Sequence, residues 1–181
     1  MILRLFRKDP RREAAETLYG EIVAAARRPA PFVDLGVEDS VEGRYEMLAA
    51  HVFLALRRLK ADGDAARPVS QALFDVFFRN MDDQLREMGV GDLTVGKKIR
   101  ALAEGFYGRM GAYDAALAAA DKDALAGAIA RNILARETAD ESARRLADYF
   151  VAADAALKGQ DLATIAAGAI EFPPYDRDAA A

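Results

Sequence analysis

Residues 91–98, Gly-Asp-Leu-Thr-Val-Gly-Lys-Lys, have the glycine and lysine spacing of a phosphate-binding loop. Such a loop holds phosphate through backbone amides and a lysine, and it requires a serine or threonine directly after that lysine. Lys98 occupies that position here. The loop must also follow a β-strand, whereas the residues before Gly91 have the pattern of a helix end. A helix C-cap and a tight turn into the next helix explain the glycines better.

Histidine and carboxylate residues offer little catalytic chemistry. His51 is the only histidine, and its helical neighbours are Met47, Leu48, Leu54 and Ala55. One imidazole cannot build a histidine-rich metal site, so we expect a buried or half-buried side chain hydrogen-bonded to a backbone or carboxylate group. Adjacent acidic residues stand beside basic ones on predicted exposed helix faces. The sequence therefore predicts no catalytic residue, no cofactor and no metal site.

Composition limits the class of protein further. The chain has 181 residues, no cysteine, a formal net charge of -4 and an isoelectric point near 5.2. The missing thiols exclude disulfides and thiolate zinc sites. The acidic balance argues against specific nucleic-acid binding, which needs a concentrated basic surface. The length is that of one domain.

A basic segment begins the chain, with five basic residues against one acidic residue in positions 1–12. Its apolar residues are too few for a secretory signal or a membrane-spanning helix. Two interpretations remain open: a terminus folded onto the core, or a weak anchor on the ribosome or an acidic membrane surface. The expected location is the cytoplasm, with peripheral association with the inner face of the cell membrane as an option.

The elements that position these residues are helices, because apolar residues recur at spacings of three and four almost throughout. The expected fold is all-α, a single-domain bundle of about six to seven mostly antiparallel helices. The expected division is a basic segment at 1–9, a helical domain at 10–170 and an extended tail at 171–181. Helices are predicted near 10–27, 41–59, 65–88, 94–117, 121–133 and 138–157, with loops at 32–36 and 90–93 and a last turn at 161–167.

Small residues mark one side of the helix predicted at 94–117, where Ala101, Gly105, Gly108 and Ala112 share a face. An interior glycine destabilises a helix by about 0.5–1 kcal/mol relative to alanine. A close approach of a second helix would offset that cost, which predicts a packed face.

Residues 81–99, continued by 103–109, resemble the central segment of the ubiquinol-cytochrome c chaperone family. The upstream residues 45–59 and 19–22 fit the same family. The resemblance covers about residues 10–150, and its most specific part is the run Met-Gly-Val-Gly-Asp-Leu with the Gly-Lys pair that follows.

The resemblance implies a non-enzymatic, helical assembly factor for respiratory complex III that binds newly made cytochrome b as its client. Mitochondrial members of the family act near the ribosomal tunnel exit. This sequence has no Arg- and Ser-rich leader and its alanine-rich form looks bacterial, so the cytochrome b role is expected to carry over more securely than a translational one. The partner subunit of the mitochondrial proteins need not have a counterpart.

An apolar membrane client suits a helical groove with apolar walls and a polar rim. Replacing Lys97 and Lys98 by glutamate is expected to weaken client capture without unfolding the bundle. The alternative interpretation of this region is a structural turn followed by solvated lysines. The candidate client-binding residues are Gly89, Gly91, Asp92, Gly96, Lys97, Lys98, Arg100, Tyr107 and Arg109.

Two other classes of function remain open. One is a membrane-surface enzyme acting on an isoprenoid or other apolar substrate, which requires a deep pocket lined by Phe74, Phe77, Phe78 and Phe106 with carboxylates converging on it. The other is a generic helical adaptor that binds a partner outside the membrane.

Overall fold

The computed structural model describes residues 10–175, and every regular element in that range is helical. The all-α fold predicted from the sequence is therefore confirmed. The helices are α1 (Pro10–Ala26), α2 (Ala30–Asp34), α3 (Val41–Lys60), α4 (Arg67–Glu87), α5 (Asp92–Ala118), α6 (Lys122–Asn132), α7 (Glu141–Lys158) and α8 (Leu162–Ala166), with a 3₁₀ turn at Gly63–Ala65.

Helix α3 is the centre of the bundle. It contacts α1, α4, α5 and α7, and its residues from Met47 to Ala55 are all buried. Helix α4 lies between α1 and α5, while α6 joins α5 to α7. An apolar stripe that extends round most of a helix is typical of a helix enclosed by its neighbours. The sequence places such a stripe on α3, and the packing confirms it.

Polar residues fix where several helices begin. The side chains of Ser40, Asp121, Asp140 and Asp161 each accept a hydrogen bond from the backbone amide three residues later, at 2.9–3.2 Å. These bonds satisfy amides that have no partner inside the helix. Serine and aspartate are among the preferred N-cap residues, so these four helix starts agree with the local sequence.

We expect Asp121→Ala to lower the free energy of unfolding by about 1 kcal/mol, because the variant leaves the Ala124 amide without its cap. Urea denaturation measures the change. Asp123→Ala is the control, since Asp123 also lies in the first turn of α6 but makes no cap bond. Equal losses in the two variants would contradict a capping role.

Three boundaries differ from the sequence-based prediction. Residues 32–36 were expected as a loop, but α2 occupies most of them because Pro31 is compatible with a first helical turn. The amides of Phe32 and Val33 donate to the Pro29 carbonyl at 3.0 Å. Helix α7 begins at Glu141, after the Asp140 cap, and not near 138. Helix α5 begins at Asp92, two residues before the predicted start.

Residues 171–175 cross the bundle as an extended strap, and the rest of the predicted tail, 176–181, lies outside the described residues. Arg28 donates to the backbone carbonyls of Pro173 and Phe172 at 2.6 and 3.2 Å. The Phe172 ring packs on His51 with centroids 4.9 Å apart, and Tyr175 stacks on Tyr149 at 3.8 Å. Residues 171–175 are thus part of the packed structure.

Candidate functional site

The turn between α4 and α5 carries the first of the candidate residues. Gly89 has a φ of +85°, and its amide donates to the Arg86 carbonyl while the Val90 amide donates to that of Leu85. This pair of bonds is the Schellman motif, which favours glycine because other residues are strained at positive φ. Gly89 is therefore the glycine that ends α4. Residues 91–98 follow a helix and begin another, so the context of a phosphate loop is missing.

The start of α5 brings several candidate residues to one exposed end of the bundle. Gly91 is the N-cap of α5, and Gly96, Lys97, Lys98 and Arg100 are exposed in its first turns. Asp92 pairs with Arg86, which also binds Asp82 at 2.5 Å. At this turn Leu93 is 93% exposed.

The remaining two candidates lie farther along α5. Tyr107 follows Lys98 by nine residues, or two and a half turns, so the two side chains leave α5 on opposite sides. Tyr107 packs beside Phe74 with ring centroids 6.0 Å apart. Arg109 is on the Lys98 side, but it pairs with Glu46 of α3 at 2.9 Å. The candidate residues therefore do not form one continuous patch.

A surface cavity of about 410 Å³, here called the groove, lies between the ends of four helices. Helices α3 and α4 form its floor, and α1 and α5 form opposite walls. Lys98 is the one candidate residue among those that line it. The lining residues are Val23, Arg27, Val41, Glu42, Arg44, Tyr45, Leu48, Met81, Gln84, Leu85, Met88, Lys98 and Leu102.

The groove has apolar walls and a polar rim. Leu48 and Met81 are buried at its base, whereas Val41 and Met88 are 63% and 66% exposed at its edge. Exposed large apolar side chains around a cavity are typical of a binding surface. Methionines adapt to irregular apolar shapes, which suits a surface that accepts varied side chains.

Sequence reasoning missed most of this groove. Met81, Leu85 and Met88 form one apolar stripe at helical spacing, a pattern that is typical of a buried face. In the fold the stripe extends beyond the part of α4 that its neighbours cover, and Met88 is 66% exposed. Apolar residues that continue to the last turn of a helix were the available signal.

Buried polar groups lie beside the groove, between α3 and α5. Burial raises the pKa of Glu46 to about 7, although Arg109 acts to lower it. The hydroxyl of Tyr45, a groove residue, is buried and has no hydrogen-bond partner within residues 10–175. Burial raises the pKa of Tyr45 to about 12. The phenol of Tyr45 is therefore uncharged at neutral pH.

His51 is fully buried, as the sequence predicts. Its Nδ1 donates to the Met47 carbonyl at 2.8 Å, and its Nε2 accepts from the Tyr149 hydroxyl at 2.9 Å. Burial lowers the pKa of His51 to about 4, so the ring is neutral at physiological pH. Both ring nitrogens have partners within the protein. The imidazole therefore has a structural role.

The aromatic residues expected to line an enzyme pocket instead pack against one another. The rings of Phe74, Phe77, Phe78 and Phe106 have centroids 4.6–6.5 Å apart, and Phe77 and Phe106 are buried. They fill the space between α4 and α5. Over residues 10–175, no group of three or more histidine, aspartate or glutamate side chains is placed to hold a metal ion.

The helices also differ from membrane-spanning segments. None of those between residues 10 and 175 is both long enough and apolar enough to cross a membrane.

Known proteins resemble this chain in both sequence and fold. A crystal structure of the Cbp3 homolog from Brucella abortus is 40% identical, with a TM-score of 0.84, and the match covers 98% of this chain and 99% of that one. Ubiquinol-cytochrome-c reductase complex assembly factor 1 from Xenopus laevis is 24% identical over 109 residues. That match covers 60% of this chain and 54% of the relative, or about half of its length.

The family model for ubiquinol-cytochrome c chaperones matches residues 33–172. This range includes α3, α4 and α5, and so nearly all of the residues that line the groove. The family's name and that of the Xenopus relative favour an assembly chaperone over an enzyme. The chain belongs to the ubiquinol-cytochrome c chaperone family.

Proposed function

We propose that this protein is an assembly chaperone that binds unassembled cytochrome b and supports assembly of the ubiquinol-cytochrome c reductase complex. Family membership supports the assembly role. The observation that carries the binding role is the groove, whose exposed apolar edge has no cover from the rest of the described chain. A membrane protein that has not yet packed its helices exposes apolar surface of the kind that such a groove shields.

The size of the groove is suited to part of a helix. The part of its floor on α4 runs from Met81 to Met88, which is about two turns or roughly 10 Å. An amphipathic or apolar helix binds such a site through side chains spaced three or four residues apart. We therefore propose that one apolar helical segment of cytochrome b occupies it.

The direct test is recovery of cytochrome b with the tagged protein after crosslinking in the native host and mild solubilisation of membranes. We expect enrichment of cytochrome b that has not joined its partner subunits. Reproducible absence of cytochrome b, when it is abundant in the starting membranes, would refute the proposal. A partner recovered without dependence on respiratory membranes would favour a generic adaptor.

Met88→Lys is expected to reduce recovery of cytochrome b about fivefold, because it replaces an apolar edge of the groove by a charge at a loss of about 1 kcal/mol. Met88 is 66% exposed, so the variant keeps its fold. The matched control is Leu93→Lys, since Leu93 is more exposed and lies outside the groove. If Leu93→Lys reduces recovery and Met88→Lys does not, the turn and not the groove binds the client.

Contact of the basic segment 1–9 with the ribosome or the inner membrane surface stays a prediction, and that segment lies outside the described residues. Its deletion, followed by measurement of ribosome and membrane cosedimentation, tests both contacts.

A further inference from the structure

The rim of the groove carries more positive than negative charge. Arg27, directly after α1, Arg44 of α3 and Lys98 of α5 line it, against one carboxylate, Glu42. The whole chain has a net charge of -4, so this cationic rim is a local exception. A local reversal of charge at an apolar site selects partners of the opposite sign.

Two of these cations are available to a partner. Arg44 binds Asp39 through two hydrogen bonds of 2.6 and 3.2 Å, so its charge is already matched. Arg27 and Lys98 are exposed and form no ion pair within residues 10–175. They stand on opposite walls, because α1 and α5 flank α4 on either side.

We infer that the groove selects an apolar helical segment that carries a carboxylate close to its apolar face, placed to meet Lys98 or Arg27. This inference rests on the proposed function and specifies the chemistry of the bound segment. The apolar side chains of the segment enter between α3 and α4, while its carboxylate stays at the rim. Lysine suits this position because its stem packs along the wall as its ammonium group remains in water.

The test uses the full chain and three synthetic 16-residue helical peptides that share one leucine stripe and differ only in two positions beside it. These positions are glutamate, glutamine or lysine. Fluorescence anisotropy at low salt is expected to show about fivefold tighter binding of the glutamate peptide than of the glutamine peptide, and weaker binding of the lysine peptide. Salt is expected to reduce the preference, since exposed charges are screened.

Lys98→Glu is expected to abolish the preference for the glutamate peptide and to improve binding of the lysine peptide. Lys97→Glu is the matched control, because it makes the same charge change at the neighbouring exposed residue outside the groove. Arg27→Glu is expected to act in the same direction as Lys98→Glu. Equal affinity of all three peptides, or an unchanged preference in both groove variants, would overturn the inference.

Other occupants give different results. Self-association of the chain that Lys98→Glu disperses would assign the groove to a second copy and overturn the inference. Binding to vesicles with an anionic lipid that Lys98→Glu abolishes and Lys97→Glu does not would assign the rim to lipid headgroups and overturn it too. If Met88→Lys weakens cytochrome b recovery while the peptides show no charge preference, only this inference fails and the proposed function stands.

Discussion

Gly43→Ala is expected to lower the free energy of unfolding by about 3 kcal/mol, the largest effect predicted for a single substitution in this chain. Gly43 is buried in the first turn of α3, where the preceding residues fold back over it. A Cβ atom there would clash with the carbonyl oxygen of Glu38 and stand 3.4 Å from a methyl group of Val37. A backbone oxygen cannot turn aside as a side chain does, so the start of α3 must shift.

The shift is also expected to weaken the helix cap, because the Gly43 amide donates to the Ser40 hydroxyl at 3.2 Å. Urea denaturation followed by circular dichroism measures the loss, with an unchanged slope indicating that the unfolding transition itself is the same. Gly108→Ala is the control, since a Cβ atom at this exposed position of α5 meets nothing within 4 Å. We expect that variant to gain about 0.5–1 kcal/mol. A Gly43→Ala midpoint equal to that of the wild type would contradict the close approach.

The contrast between these glycines shows where sequence information ends. Gly108 was expected to permit close packing of a second helix, and this is wrong within the described chain, because the position is open to solvent. Gly43 was not singled out, although it is the one whose missing side chain the fold requires. Neither the residue types around the two glycines nor their spacing separates Gly43 from Gly108. Only the path of the segment that precedes Gly43 in the folded chain distinguishes them.

Local features were predictable because their causes lie within a few residues. Asp121 and Asp161 each cap the backbone amide three residues later, and Gly89 ends α4. The apolar stripe on α3 identifies the central helix. The short helix α2 was predicted as a loop because proline commonly ends a helix, whereas Pro31 stands where a first turn accepts it.

The groove could not be predicted because it depends on which helices are neighbours. Its walls come from α1 and α5. Val23 on one wall and Lys98 on the other are more than 70 residues apart in the sequence. The sequence did identify Lys98 within a candidate surface. It could not separate Lys98 from Lys97, which is adjacent in sequence and outside the groove.

Two buried titratable groups on α3 are expected to give the free energy of unfolding opposite dependences on pH. Burial lowers the pKa of His51 to about 4, from the 6.5 that is ordinary for histidine. Between these pH values the unfolded chain binds a proton that the folded chain excludes. The contribution of His51 to stability therefore rises as the pH rises from about 4 to 6.5.

Glu46 acts in the opposite sense. Burial raises its pKa from 4.5 to about 7, so between these values the folded chain keeps a proton that the unfolded chain releases. Its contribution falls as the pH rises through this range. From pH 4.5 to 6.5 each group changes the free energy of unfolding by about 2 kcal/mol, and the two changes nearly cancel in the wild type.

When either group is removed, the pH dependence that the other group contributes is no longer offset. The cancellation can therefore be tested. Relative to the wild type, the free energy of unfolding of Glu46→Gln is expected to increase by about 2 kcal/mol as the pH rises from 4.5 to 6.5. That of His51→Gln is expected to decrease by about 2 kcal/mol over the same rise. Urea denaturation at pH 4.5, 5.5 and 6.5 gives both differences. A packing defect in either variant adds an offset that does not depend on pH, so the slope alone reports titration. The double variant is expected to run parallel to the wild type, and single variants that also run parallel would show that neither pKa is shifted.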